Sequence, residues 1–127
     1  MRTALFALLI LAACARHGKV TQVDATEAAA LADDSEVLVL DVRTPGEYAD
    51  GHIPNSVNLD WNGGGFREGL ADIGRDRTVL LHCESGGRST QALAALTEEG
   101  FDRVIHLDGG MRGWREAGLP VTVESSD

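Results

Sequence analysis

Cysteine is scarce in this chain: Cys14 and Cys83 are the only two in 127 residues. A framework of several disulfides is thereby excluded. Basic residues are few as well, 11 Lys and Arg against 20 Asp and Glu, for a formal net charge of −9. That balance argues against nucleic acid or an anionic membrane surface as a partner. Any anionic substrate must find local positive potential instead. No apolar run approaches the roughly 18 residues that a membrane-spanning helix needs. The four histidines, His17, His52, His82 and His106, form no cluster with cysteine at metal-ligand spacing, so no metal is expected. What remains is 43% hydrophobic and 24% charged, enough to bury a core, at a length that fits one domain. A monomer is expected.

The first residues stand apart. "MRTALFALLILAAC" carries one Arg and then ten apolar or small residues, Ala4 to Ala13. Ten are too few to cross a bilayer but suit the apolar region of an export signal. The ending Leu11-Ala12-Ala13-Cys14 resembles a bacterial lipoprotein lipobox, which implies cleavage before Cys14 and lipidation of its thiol. An ordinary secretory signal or a short N-terminal anchor is the alternative. The expected organisation is a signal peptide over 1–13, a linker with the lipidation site over 14–19, and a folded domain over 20–124. Such a protein is exported and faces the periplasm, touching the membrane only through its lipid. Ala15, where an Asp is absent, favours the outer membrane. With Cys14 lipidated, Cys83 has no partner left in the chain. It is then a buried inert thiol, an intermolecular bridge or a reactive group.

Beyond the linker, strand and helix signals alternate. "VTQV" (20–23), "EVLVLDV" (36–42), "VNL" (57–59), "TVLLH" (78–82) and "VIHL" (104–107) read as strands, two of them apolar enough to be covered on both faces. Asp24 with Glu27, and Thr44 with Pro45 and Glu47, are helix-start signatures. Residues 60–77 hold three adjacent glycines and predict a loop before a short helix near 66–73. "STQALAALTEEG" predicts a helix over 89–100, with Ser89 as its N-cap and Gly100 as its stop. A last short helix precedes Gly118 and Pro120. This alternation predicts an α/β domain with a largely parallel sheet.

In such folds ligands bind beyond the carboxyl ends of the strands. Cys83 lies at one of those ends, followed by "ESGGRS" and a helix start. A loop of this kind turns several backbone N–H groups inward beside a helix N-terminus, and Arg88 adds charge. Gly86 and Gly87 supply the backbone freedom. These features favour thiolate over thiol, and a nucleophilic Cys83 explains them where a buried inert thiol does not.

Three stretches together are similar to the rhodanese-like, or sulfurtransferase, domain family over about residues 20–121. They are "LDVRTPGEYADGHIPNSVNL" (40–59), "CESGGRS" (83–89) and "LDGGMRGWREAGLPV" (107–121). The resemblance implies a central, largely parallel five-stranded sheet flanked by helices. It also implies sulfur transfer: Cys83 takes the outer sulfur of a small sulfane donor, thiosulfate or a persulfide or polysulfide. Backbone amides of Glu84, Ser85, Gly86, Gly87, Arg88 and Ser89 cradle that sulfur. A thiophilic acceptor, cyanide or a thiol, then removes it, an exchange that by the same resemblance requires no metal or organic cofactor. Related phosphatases and arsenate reductases carry five residues between Cys and Arg; here there are four, Glu84 to Gly87, which the resemblance reads in favour of sulfur.

Glu84 departs from the basic residue that thiosulfate-using relatives often carry there. Its carboxylate would oppose a doubly negative donor by about 1 kcal/mol and could raise the Cys83 pKa. Asp41, Arg43, Glu47 and His52 match the first signature, with Asp41 on the same sheet edge as Cys83 and suited to hold the 44–54 segment. For Arg43, Glu47 and His52 a structural use is the expectation. Arg88 can bind a donor anion or pair with Glu47. His82 and Cys83 point to opposite faces of their strand, so a direct acid–base pair between them is not expected. His106 and Trp114 read as packing residues, while Trp61 and Arg67 could rim the pocket. The competing functions are a non-catalytic binding module and a persulfide carrier docking a protein sulfur acceptor.

Overall fold

A computed structural model of the protein describes residues 19–124. Cys14, and with it the signal-peptide and lipidation readings, lies outside the described residues. The elements run β1 (Lys19–Val23), α1 (Ala25–Ala32), β2 (Val37–Asp41), α2 (Pro45–Asp50), β3 (Val57–Asn58), α3 (Phe66–Leu70), β4 (Thr78–His82), α4 (Gly87–Glu98), β5 (Arg103–Leu107) and α5 (Gly110–Glu116). The five strands form one sheet in the order β1-β5-β4-β2-β3, parallel at every pairing. This is the α/β fold that the alternation predicts, with every strand delivering its carboxyl end to the same edge.

Local chemistry starts the first two helices. The Asp24 carboxylate accepts the Glu27 N–H at 2.8 Å while Glu27 accepts the Asp24 N–H at 3.3 Å. Thr44 and Glu47 do the same for α2, with Pro45 in its first turn. Each such cap is worth about 1 kcal/mol.

Side-chain alternation along the buried strands divides the core. Val79, Leu81 and Cys83 pack with Leu40, Val42, Val104, Phe66 and the apolar side of α4. Leu80 faces the other way, with Val39, Leu107, Met111, Trp114 and Ala28 of α1. Each fully buried Leu or Val contributes about 1.5–3 kcal/mol, so the two layers fix which residues of β4 face which helices.

Two expectations need correction. Ser89 is not the N-cap of α4: the cap is Gly86, and the helix begins at Gly87. The reason is that the Cys83 sulfur accepts the Ser89 N–H, a first-turn donor that an oxygen side chain would otherwise cap, so the helix extends back to the loop. Arg67 does not rim a pocket near Cys83. It pairs with Glu98 and Glu99 at the far end of α4, about 16 Å along a helix of that length. Trp61, by contrast, donates to Gln91 near the start of α4 and packs edge-on against Phe66.

Candidate active site

Cys83 follows β4 directly and is 1% exposed, its sulfur at the floor of the 84–88 loop. The Gly86 N–H donates to Sγ at 3.1 Å and the Ser89 hydroxyl lies 3.3 Å from it. Burial, the largest single influence, pushes the thiol pKa up. The Ser89 hydroxyl and the N–H groups of Ser89, Gly86 and Ser85 together outweigh it and hold the pKa below the ordinary thiol value.

The loop is pinned from outside by the segment after β5. Met111 N–H donates to the Cys83 carbonyl at 2.8 Å and Arg112 N–H to the Glu84 carbonyl at 3.1 Å. Such an approach needs glycine. A Cβ on Gly110, at φ 61°, would lie 2.5 Å from the Glu84 carbonyl oxygen and 2.6 Å from that of Cys83. A Cβ on Gly86, at φ 106°, would lie 2.8 Å from the Asp108 carbonyl oxygen. Gly110 is thus the point at which the segment docks on the loop.

Four ion pairs surround it. Arg43, 2% exposed, grips the fully buried Asp41 carboxylate through Nε and Nη2, at 2.8 Å for the latter. The same Nη2 reaches the Gly51 carbonyl at 2.7 Å, tying α2 to the sheet edge. Arg88 makes a two-pronged pair with Glu47, at 2.6 and 3.0 Å, which chiefly lowers the Glu47 pKa to about 2. Of the two roles open to Arg88, the pair with Glu47 is formed. Glu84 turns its carboxylate toward Arg115 and toward Arg43, the latter at 3.4 Å. Its charge is offset by two guanidinium groups.

His52 stacks on Tyr48, donates Nδ1–H to the Tyr48 carbonyl at 2.7 Å and bridges by its backbone to Thr122. His82 lies on the face opposite Cys83, its Nδ1 3.0 Å from the Cys83 carbonyl, and burial lowers its pKa. Trp114 is buried and donates to the Pro120 carbonyl. Two residues that sequence reasoning did not connect to Cys83 do belong here. Arg115 neutralises Glu84, and His106 sits 2.7 Å from the Ser89 hydroxyl. Two cavities, of about 490 and 520 Å³, are lined by neither Cys83 nor any residue of its loop. The inward amides around the Cys83 sulfur suit a single anionic atom.

A family model described as the rhodanese-like domain matches residues 24–117. A sulfurtransferase of Allochromatium vinosum is 43% identical over 91 residues, 72% of this chain and 83% of its own length. The probable adenylyltransferase/sulfurtransferase MoeZ of Mycobacterium tuberculosis is 36% identical over 88 residues, 69% of this chain but 22% of that much longer protein. Among solved structures, a rhodanese-related protein from Thermoplasma volcanium aligns with a TM-score of 0.72 at 31% identity, covering 82% of this chain and 99% of the other.

Proposed function

The chain belongs to the rhodanese-like domain family, and we propose that it is a sulfurtransferase working through a Cys83 persulfide. The observation that carries this reading is the Cys83 sulfur itself, ringed by backbone N–H groups and the Ser89 hydroxyl, with its pKa held down. In the first half-reaction the thiolate attacks the outer sulfur of a sulfane donor. A new S–S bond forms to Cys83, and the donor's own bond breaks, its electron pair leaving as sulfite from thiosulfate or as thiolate from a persulfide. The terminal sulfur takes the negative charge and the amides of Glu84 to Ser89 accommodate it. In the second, a cyanide or thiol attacks that sulfur and the bonding pair returns to Cys83. The thiol's position on the loop floor suits this, because one added sulfur extends it toward the loop's mouth.

Glu84 bears on the donor. With Arg43 and Arg115 on its carboxylate, its repulsion of thiosulfate is smaller than the bare residue suggests, so thiosulfate and a persulfide or polysulfide both fit. The test is steady-state thiocyanate formation from thiosulfate and cyanide. Parallel double-reciprocal lines, lost in Cys83→Ser, support the two-step exchange. A folded protein without turnover against any small donor favours the binding module or a carrier that needs its protein partner.

The lipobox-like Leu11–Cys14 places this chemistry, in our reading, at the periplasmic side of a bacterial membrane. Fatty-acid labelling in a bacterial host, absent in Cys14→Ser, tests that separately.

A further inference from the structure

One buried group has no part in the exchange as described. The His106 ring is 1% exposed, and it comes from β5 on the same sheet face as Cys83, since Leu81 is paired with His106 across the β4–β5 ladder. Its Nε2 lies 2.7 Å from Ser89 Oγ, and that oxygen is 3.3 Å from Cys83 Sγ. Its Nδ1 is buried without a hydrogen-bond partner.

A hydroxyl has one proton to give. Ser89 has three possible acceptors: Cys83 Sγ, the Gly86 carbonyl at 3.2 Å and His106 Nε2. The Gly86 carbonyl already accepts the Thr90 hydroxyl at 2.6 Å and the Thr90 N–H at 3.0 Å, so it has little need of a third. His106 decides between the other two through its tautomer. A proton on Nδ1 would bury a donor that meets nothing, which folded proteins rarely tolerate; a bare lone pair there costs less. The neutral ring therefore carries its proton on Nε2 and donates to Ser89. Neutrality itself follows from burial, which lowers the pKa of His106. The other titratable groups near the ring are Asp108, just past β5, and His82 of β4.

We infer that His106 is a positioning residue for the nucleophile: its Nε2–H fills the Ser89 oxygen and obliges the hydroxyl to donate to the Cys83 sulfur. The inference rests on the sulfur-transfer reading only for its catalytic consequence. When the acceptor takes the outer sulfur, the electron pair returns to Cys83 Sγ, and a hydroxyl already aimed there stabilises the departing thiolate. The ordering effect on the thiol exists whether or not sulfur is transferred.

The test is therefore chemical first. The purified protein is alkylated with iodoacetamide across pH, with modification of Cys83 read by peptide mass spectrometry so that Cys14 does not interfere. His106→Leu should move the Cys83 midpoint up by about half to one pH unit, the equivalent of one hydrogen bond. His106→Gln, which keeps a donor, should restore part of that shift. In a Ser89→Ala background, His106→Leu should add nothing, because the relay is already cut. An unmoved midpoint in folded His106→Leu, or the same shift with Ser89 absent, overturns the inference. Should the leucine variant not fold, nitrogen-15 ring spectra of the wild-type protein decide instead: protonated Nε2 supports the relay and protonated Nδ1 refutes it. Failure of sulfur transfer with an intact midpoint shift would strike the functional reading and leave His106's role standing.

Discussion

Replacing Gly110 by alanine tests how tightly the loop and the 108–112 segment are fitted. Two costs add. The residue sits at φ 61°, where an L side chain costs about 1–2 kcal/mol. The new methyl would lie 2.5 and 2.6 Å from two backbone carbonyl oxygens, against the 3.4 Å at which ordinary contact begins. Neither oxygen is free to retreat, because they accept the Met111 and Arg112 N–H groups. Parting the segments strains or breaks both bonds, at about 1 kcal/mol each. The expected loss is about 3–4 kcal/mol in urea denaturation, with slower alkylation of Cys83 as the loop opens. Gly113→Ala is the matched control in the same helix. A Cβ there meets nothing within 4 Å and the backbone is unstrained, so stability should hold or rise by up to ~1 kcal/mol. A Gly110→Ala protein within 0.5 kcal/mol of wild type would refute the close-approach argument.

Other expectations follow from the ion pairs and buried rings. Arg43→Met strands a fully buried Asp41 carboxylate and should cost about 3–5 kcal/mol by denaturant titration; a loss under 1 kcal/mol would mean that Asp41 finds another partner. Stability should fall as pH drops below 6.5, because the unfolded chain protonates His82 and His106 while the fold keeps them neutral, with a slope up to ~1.4 kcal/mol per pH unit for each. Replacing both by uncharged residues should flatten that slope. Glu47 acts lower: its contribution is complete above pH 4.5 and is lost as pH falls toward 2, about 1 kcal/mol once solvent screening of the half-buried pair is allowed for. Arg88→Leu should remove most of that acid-side dependence, leaving the part due to the Thr44 hydrogen bonds. Arg115→Leu leaves Glu84 facing the loop with Arg43 alone, so sulfur loading from thiosulfate should slow about fivefold while a neutral organic trisulfide is unaffected.

Features set by neighbours in sequence were legible in advance. Both capping boxes formed as their residue spacing required, and the 78–82 strand matches its apolar run. What failed depended on atoms brought from elsewhere. Ser89 carries the side chain of a helix cap, but a sulfur six residues back occupies that role, so the serine lies buried within the first turn. Closeness to the glycines of 63–65 points Arg67 at the pocket rim; α3 instead carries it to the acidic end of α4. His106 gave no local sign of its contact with Ser89. Alternation puts it on the face of Val104, and Cys83 on that of Leu81, yet only the β4–β5 pairing shows that these are one face. The sequence around Glu84 shows its charge alone, and one of the arginines that answer it, Arg115, lies 31 residues away.

The central claim, that Cys83 carries the transferred sulfur, is tested most directly by intact mass spectrometry. The protein is exposed to thiosulfate and, separately, to a low-molecular-weight persulfide, then washed and weighed. The account predicts a gain of one sulfur atom, absent in Cys83→Ser and discharged by cyanide. A folded protein whose free Cys83 gains no sulfur from either donor would contradict it.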